Sequence, residues 1–118
     1  MKTNELTGAA LDWAVAKCEH PNLVWGSSIG IHHASHQIVI RHLPEPQCYW
    51  NPSTNWAQGG PIIEREGMTL SCGLNKSYAM KSVGYLVHEY GDTPLIAAMR
   101  CYVASKLGDE IDLPKELT

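Results

Sequence analysis

"GDTPLIAAMRCYVASKLGD", residues 91–109, is the stretch on which the fold turns. Thr93 stands where a helix N-cap belongs and Pro94 fills the first helical position, where a missing N–H costs nothing. Lys106 lies in the last turn and Gly108 at the stop. Leu95, Met99, Tyr102, Val103 and Lys106 or Leu107 recur along one stripe, and Ile96, Ala97, Ala98 and Cys101 widen it around the cylinder. The pattern predicts a helix apolar on most of its circumference, touching neighbours on more than one side. Such a helix belongs at the centre of a core.

The rest of the chain has to cover it. From Leu6 to Cys18, the residues Leu6, Ala9, Ala10, Trp13, Ala14 and Cys18 recur at spacings of three and four, which predicts a second helix. Thr7 or Asn4 can cap it, and Pro21 ends it by turning the preceding residue from helical angles. "SHQIVIRHL" (35–43) alternates in the manner of a strand, "QCYW" (47–50) continues after "PEP", and "MTLSCG" (68–73) and "SVGYLVHEY" (82–90) complete a set of short strands. The expected class is α+β: a small antiparallel sheet packed against an N-terminal and a long C-terminal helix.

At 118 residues the chain is expected to form one domain, 1–118, with residues 1–5 and 109–118 as surface tails. With 44% hydrophobic and 18% charged residues it has the makings of a core and too little charge for disorder. A net charge of −3 removes the attraction to phosphates on which general nucleic-acid binders rely. Charged residues interrupt the N-terminal segment, and no run approaches the roughly twenty apolar residues of a membrane span, so a soluble cytosolic protein is expected. Cys18, Cys48, Cys72 and Cys101 lack the close pairing of a zinc knuckle or redox motif and read as buried thiols.

"NPSTNWAQGGPIIERE" (51–66) is the irregular part. Ser53 or Thr54 can cap a turn of helix carrying Trp56, with Pro61 opening a second short helix after a break at Gly59-Gly60. The same letters permit a bent edge strand.

"ELTGAALDWAVAKC", "PSTNWAQGGPIIERE" and "GDTPLIAAMRCYVASKLGDE" closely resemble, in order and spacing, three shared blocks of the NinX-like phage proteins, over somewhat under half the chain. The resemblance implies a small phage accessory protein made in a bacterial cytoplasm, dispensable for building virions, and it implies no catalytic residues. Residues 20–50, including "GIHHASHQIVIRH", depart from the family pattern, and many relatives are acidic where Asn55 stands.

Among groups able to do chemistry, His32, His33, His36 and His42 crowd into eleven residues. The spacing of His32 and His36 suits a metal only on a helix, whereas the residues that follow read as strand. On a strand, His36 and His42 share a face roughly 20 Å apart. Solvated or hydrogen-bonded histidines are the simpler reading, and neither a metal nor a cofactor is expected. No nucleophile turn accompanies the cysteines and histidines, and no spacing pairs Glu64, Glu66 and Asp92 as acid and base. "GGP" alone is a turn rather than a phosphate cradle.

The remaining candidate is a binding site. Tyr49, Trp50 and Trp56 offer flat faces, and Ser53, Thr54, Asn55 and Gln58 offer donors and acceptors. Gly59 and Gly60 allow close backbone approach, and Arg65 supplies a planar cation. Arg100, mid-helix among apolar residues, needs solvent, a carboxylate or an anionic ligand, with Glu64 or Glu66 as the simplest partner. The competing reading has Trp56, Ile62 and Ile63 capping the core while the polar groups bond their own loop. The expected function is non-enzymatic binding of a small polar host molecule, such as a nucleotide-type immune signal. A host protein bound through Trp50 and Trp56 is the alternative, and a small enzyme using the histidines is a third. Self-association is expected in each case, given four tryptophans and so apolar a helix.

Overall fold

In the computed structural model, which describes residues 1–32, 34–73, 76–82 and 86–118, the chain runs through α1 (Gly8–Glu19), β1 (Ile29–His32), β2 (Gln37–Ile40), β3 (Tyr49–Trp50), α2 (Trp56–Glu66), β4 (Thr69–Cys72), β5 (Ser77–Ser82), β6 (Leu86–Gly91) and α3 (Pro94–Leu107). Single 3₁₀ turns at Thr3–Glu5 and Lys115–Leu117 flank these elements. Helix α3 is the expected centrepiece. The Thr93 hydroxyl accepts from the Ile96 N–H at 3.1 Å, and Gly108, at φ 88°, closes the other end. Leu95, Ala97, Ala98, Met99, Cys101, Tyr102, Val103 and Ala104 are all buried, because α3 meets β5 and β6 on one side and α1 and α2 on others.

The α+β class holds, with one correction: the strands form two antiparallel sheets, β1-β2-β3 and β4-β5-β6. In the first, Ile29 pairs with Ile40 and Ile38 with Trp50, and all four side chains are buried. This sheet packs on α1 through β2 and β3. In the second, Tyr78 faces Tyr90 and Ala79 faces Glu89. Ser77, Ala79, Lys81, Val87 and Gly91 point inward, which leaves Tyr78, Met80, Leu86, His88 and Tyr90 on the outer face, with the two tyrosine rings 5.1 Å apart. Two strands had no reading in the sequence. β1 is four residues with a glycine, and β5, "SYAMKS", puts a lysine on the inward face, which hides the alternation. Residues 83–85, read as part of a strand, lie outside the described residues.

Helix α1 starts two residues later than its apolar pattern, because Leu6 closes the preceding 3₁₀ turn. Thr7 takes the N-cap position in extended backbone, but its side chain makes no capping bond. The segments read as surface tails are tied to each other. The Thr3 N–H donates to the Asp109 carbonyl at 2.8 Å, the Thr3 hydroxyl to the Gly108 carbonyl at 2.6 Å, and Lys2 bridges to Glu110. Thr3 and Ile111 are buried as a result. No helix among the described residues is long and apolar enough to cross a membrane.

Candidate functional site

Strand β3 delivers the chain into a tight turn. The Thr54 and Asn55 N–H groups both return to the Asn51 carbonyl, at 3.1 and 2.9 Å. Asn55 then caps α2, its side-chain oxygen accepting from the Ala57 N–H at 2.9 Å. Neither reading of this stretch holds: there is no break at Gly59-Gly60 and no edge strand, since α2 runs unbroken to Glu66 with Pro61 inside it. Gly59 is there for close approach: a Cβ on it would lie 2.5 Å from the Leu95 Cδ1 and 2.6 Å from the Pro52 carbonyl oxygen. Gly67, left-handed at φ 63°, ends the helix, with the Met68 N–H returning to the Ile63 carbonyl.

Most of the polar groups proposed for a guest are engaged at home. Gln58 accepts from the Asn51 N–H at 2.7 Å and donates to the Tyr49 carbonyl at 2.8 Å. The Asn55 amide reaches the Asn51 side chain at 3.4 Å, and the Thr54 hydroxyl donates to the Asn51 carbonyl. Trp50 is buried rather than offered as a flat face, and its indole N–H donates to the Asp12 carbonyl at 2.9 Å. Tyr49 is half-buried, its ring edge-on to His32. Ser53 is also buried, its N–H donating to the Asp12 carboxylate at 2.9 Å. Trp56 differs from all of these: it is 54% exposed, and its ring lies beside Gly60.

The two arginines sit in separate neighbourhoods. Arg65 grips Glu19 with both terminal nitrogens, at 3.0 and 2.6 Å, while its Nε donates to Glu66 and one Nη to the Tyr102 hydroxyl. Burial opposes ionisation of Glu19, but the bonds from Arg65 and Tyr102 hold its carboxyl below the usual range. Arg100 does not pair with Glu64 or Glu66. Its Nε donates to the Leu6 carbonyl at 2.8 Å and its Nη1 to the Tyr90 carbonyl at 2.9 Å, so it ties the turn before α1 and the end of β6 to α3 through backbone oxygens.

Asp12 is the residue that sequence reasoning passed over. It stands on α1 in an apolar stretch and fastens to that helix both β3, through its carbonyl and Trp50, and the turn before α2, through its carboxylate and Ser53. Burial raises its carboxyl to about 6, against the lowering effect of Ser53, whose hydroxyl lies near the carboxylate yet makes no well-formed hydrogen bond among the described residues. Because the folded value lies above the unfolded one, near 3.8, Asp12 contributes stability that is full below about pH 4 and lost as pH rises through about 6. The difference corresponds to roughly 3 kcal/mol. Asp12→Asn, which keeps an acceptor for Ser53, is expected to remove that slope, and denaturant melts of both proteins from pH 4 to 8 check it. Glu66 works in the opposite sense. It is held down at about 2, so its contribution is present above about 4.5 and lost as pH falls towards 2.

The histidines also regroup. His32 ends β1 and its Nδ1 faces the Ser35 hydroxyl at 2.9 Å; His36 occupies the turn at φ 56°; His33 lies outside the described residues. A helical pairing of His32 with His36 is therefore absent. His42 instead meets His20, at the end of α1, with ring centroids 5.7 Å apart. Among the described residues, no three His, Cys, Asp or Glu side chains converge as a metal-binding group. The four cysteines are free; Cys48 and Cys101 are buried, Cys18 partly so, and Cys72 is exposed, contrary to its reading as a buried thiol.

Two of the surface hollows among the described residues hold polar and charged side chains, and neither is lined by residues 49–66 themselves. One of about 450 Å³ is lined by Lys2, Thr3, Asn4, Glu89, Asp109 and Glu110. Another of about 350 Å³ includes Glu19, His20, Asn22, Ser28 and His42.

The model of the family described as "Bacteriophage P22, NinX" matches residues 2–106. No curated protein matches the chain significantly. The match spans both sheets and all three helices, including residues 20–50, where the quoted blocks had left a gap. The chain belongs to that phage family.

Proposed function

We propose that this NinX-family protein acts by binding a protein of the bacterial host through the exposed start of α2, with Trp56 as the principal contact. The observation that carries this reading is the contrast within one short segment: the side chains of Asn51, Thr54, Asn55 and Gln58 bond their own turn, while Trp56 holds 54% of its surface in water. Ala57 and Pro61 are exposed beside it and Gly60 partly so. Residues 56 and 60, like 57 and 61, are neighbours one helical turn apart, so together they make a small apolar strip with a tryptophan at its edge. Tryptophan is enriched among residues that dominate protein interfaces, and a face of small side chains lets a partner approach closely.

A small polar guest is less well served, since Gln58, Asn55 and Thr54 would have to break existing bonds and Arg65 would have to leave Glu19. The test is affinity capture from a host lysate with the wild-type protein and with Trp56→Ala. A discrete partner retained by the first and weakened by at least about 30-fold in the second, with an unchanged melting curve, supports the reading. A nucleotide that raises the melting temperature equally in both proteins would favour the small-molecule alternative.

A further inference from the structure

The pairing of His20 with His42 joins two positions that are far apart in the sequence. His20 caps α1, its N–H donating to the Ala16 carbonyl at 2.7 Å, and its ring also lies edge-on to the Trp50 ring at 6.1 Å. His42 follows β2, in a turn pinned on either side by the Arg41 N–H on the Ser28 carbonyl and the Leu43 N–H on the Ile40 carbonyl. The two rings meet at 84° on the wall of the 350 Å³ hollow. Both backbones are thus fixed before any ligand arrives, so only the two side chains have to turn and shift to bring a nitrogen of each ring to one ion.

We propose that His20 and His42 form a two-imidazole site for a borderline divalent first-row cation such as Zn²⁺, Ni²⁺ or Cu²⁺. The spacing suits it. A metal about 2.1 Å from an imidazole nitrogen lies about 3.2 Å from the ring centre, so two imidazoles at a tetrahedral angle have centres about 5.2 Å apart. The observed 5.7 Å requires a shift of about half an ångström. Imidazole nitrogen is a good ligand for these ions and a poor one for Mg²⁺ or Ca²⁺. Glu19 also lines the hollow, but its carboxylate is held by Arg65 and Tyr102. The protein supplies two ligands, and the remaining positions fall to water or to a donor from a bound molecule. Binding is therefore weaker than at a structural zinc site, and reversible.

The test is titration of the purified, tag-free protein with Zn²⁺, Ni²⁺ and Cu²⁺, followed by calorimetry and, for Cu²⁺, by tryptophan fluorescence, since Trp50 adjoins His20. One equivalent is expected to bind, with part of the fluorescence quenched. His20→Ala and His42→Ala are each expected to weaken binding by about tenfold or more, whereas the His32→Ala/His36→Ala protein binds as the wild type does. Circular dichroism melts and the milder His20→Gln and His42→Gln variants guard against loss of fold. Absence of binding by the wild type, full binding by folded His20 and His42 variants, or loss of binding in the His32/His36 variant would each overturn the assignment.

Discussion

Glu66→Gln is expected to lower the stability of the protein by about 3 kcal/mol, the low end of what breaking a buried ion pair costs. Lys81 sits on the inward face of β5 with only 6% of its side chain exposed, and its ammonium is bonded to one Glu66 oxygen. Arg65 holds the other oxygen at 3.0 Å, and Lys106 stands 3.7 Å away. Glu66 is thus the hub through which α2, β5 and α3 share their charges. Burial opposes its ionisation, and these cations together overcome that cost. Removing the carboxylate leaves the Lys81 charge buried without its partner, which is the expensive outcome. Removing both charges is not: Glu66→Leu/Lys81→Met is expected to recover most of the loss. For a chain of this size 3 kcal/mol corresponds to roughly 10 to 20 °C in melting temperature, so thermal and denaturant melts of the three proteins decide the matter.

Gly91→Ala is expected to cost about as much, for a steric reason. At the end of β6 the chain passes so close to the start of α3 that a Cβ on Gly91 would lie 2.6 Å from the Ala97 nitrogen, 3.0 Å from its Cα and 2.9 Å from the Ile96 Cγ2. Backbone atoms of a capped helix cannot step aside, so either the sheet or α3 must shift. Gly60 supplies the internal control. It is interior to α2, and a Cβ there would meet only the Trp56 ring, at 3.9 Å. Gly60→Ala is therefore expected to stabilise by up to about 1 kcal/mol through helix propensity. Denaturant melts of both variants against wild type check the pair, and opposite signs are the result expected.

How legible this was in the sequence depended on whether a residue's role was local. Thr93, Pro94 and Gly108 announce α3 because capping is settled within one turn, and the apolar circumference of that helix foretold neighbours on several sides. The two-sheet arrangement was not legible. A lysine facing inward from β5 looks like a solvated residue until Glu66 is placed opposite it by the fold. The helix across Gly59-Gly60-Pro61 was hidden for a similar reason, since local propensity argues for a break there. Gly59 is tolerated because only a bare backbone fits against Leu95 and Pro52. Within the candidate site, the partners of the side chains could not be read: the bonds of Gln58 to Tyr49 and Asn51 span seven to nine residues, and those of Trp50 and Ser53 to Asp12 span about forty.

A partner docked on the start of α2, as proposed, would come within reach of Trp56 at its edge. A photo-crosslinking amino acid placed at position 56 in cells of the bacterial host tests this docking most directly, with the same group at exposed Asp112 as the control. One discrete adduct with a host protein is expected from position 56 and none like it from position 112. Adducts only with other copies of this chain, or the same diffuse labelling from both positions, would contradict it.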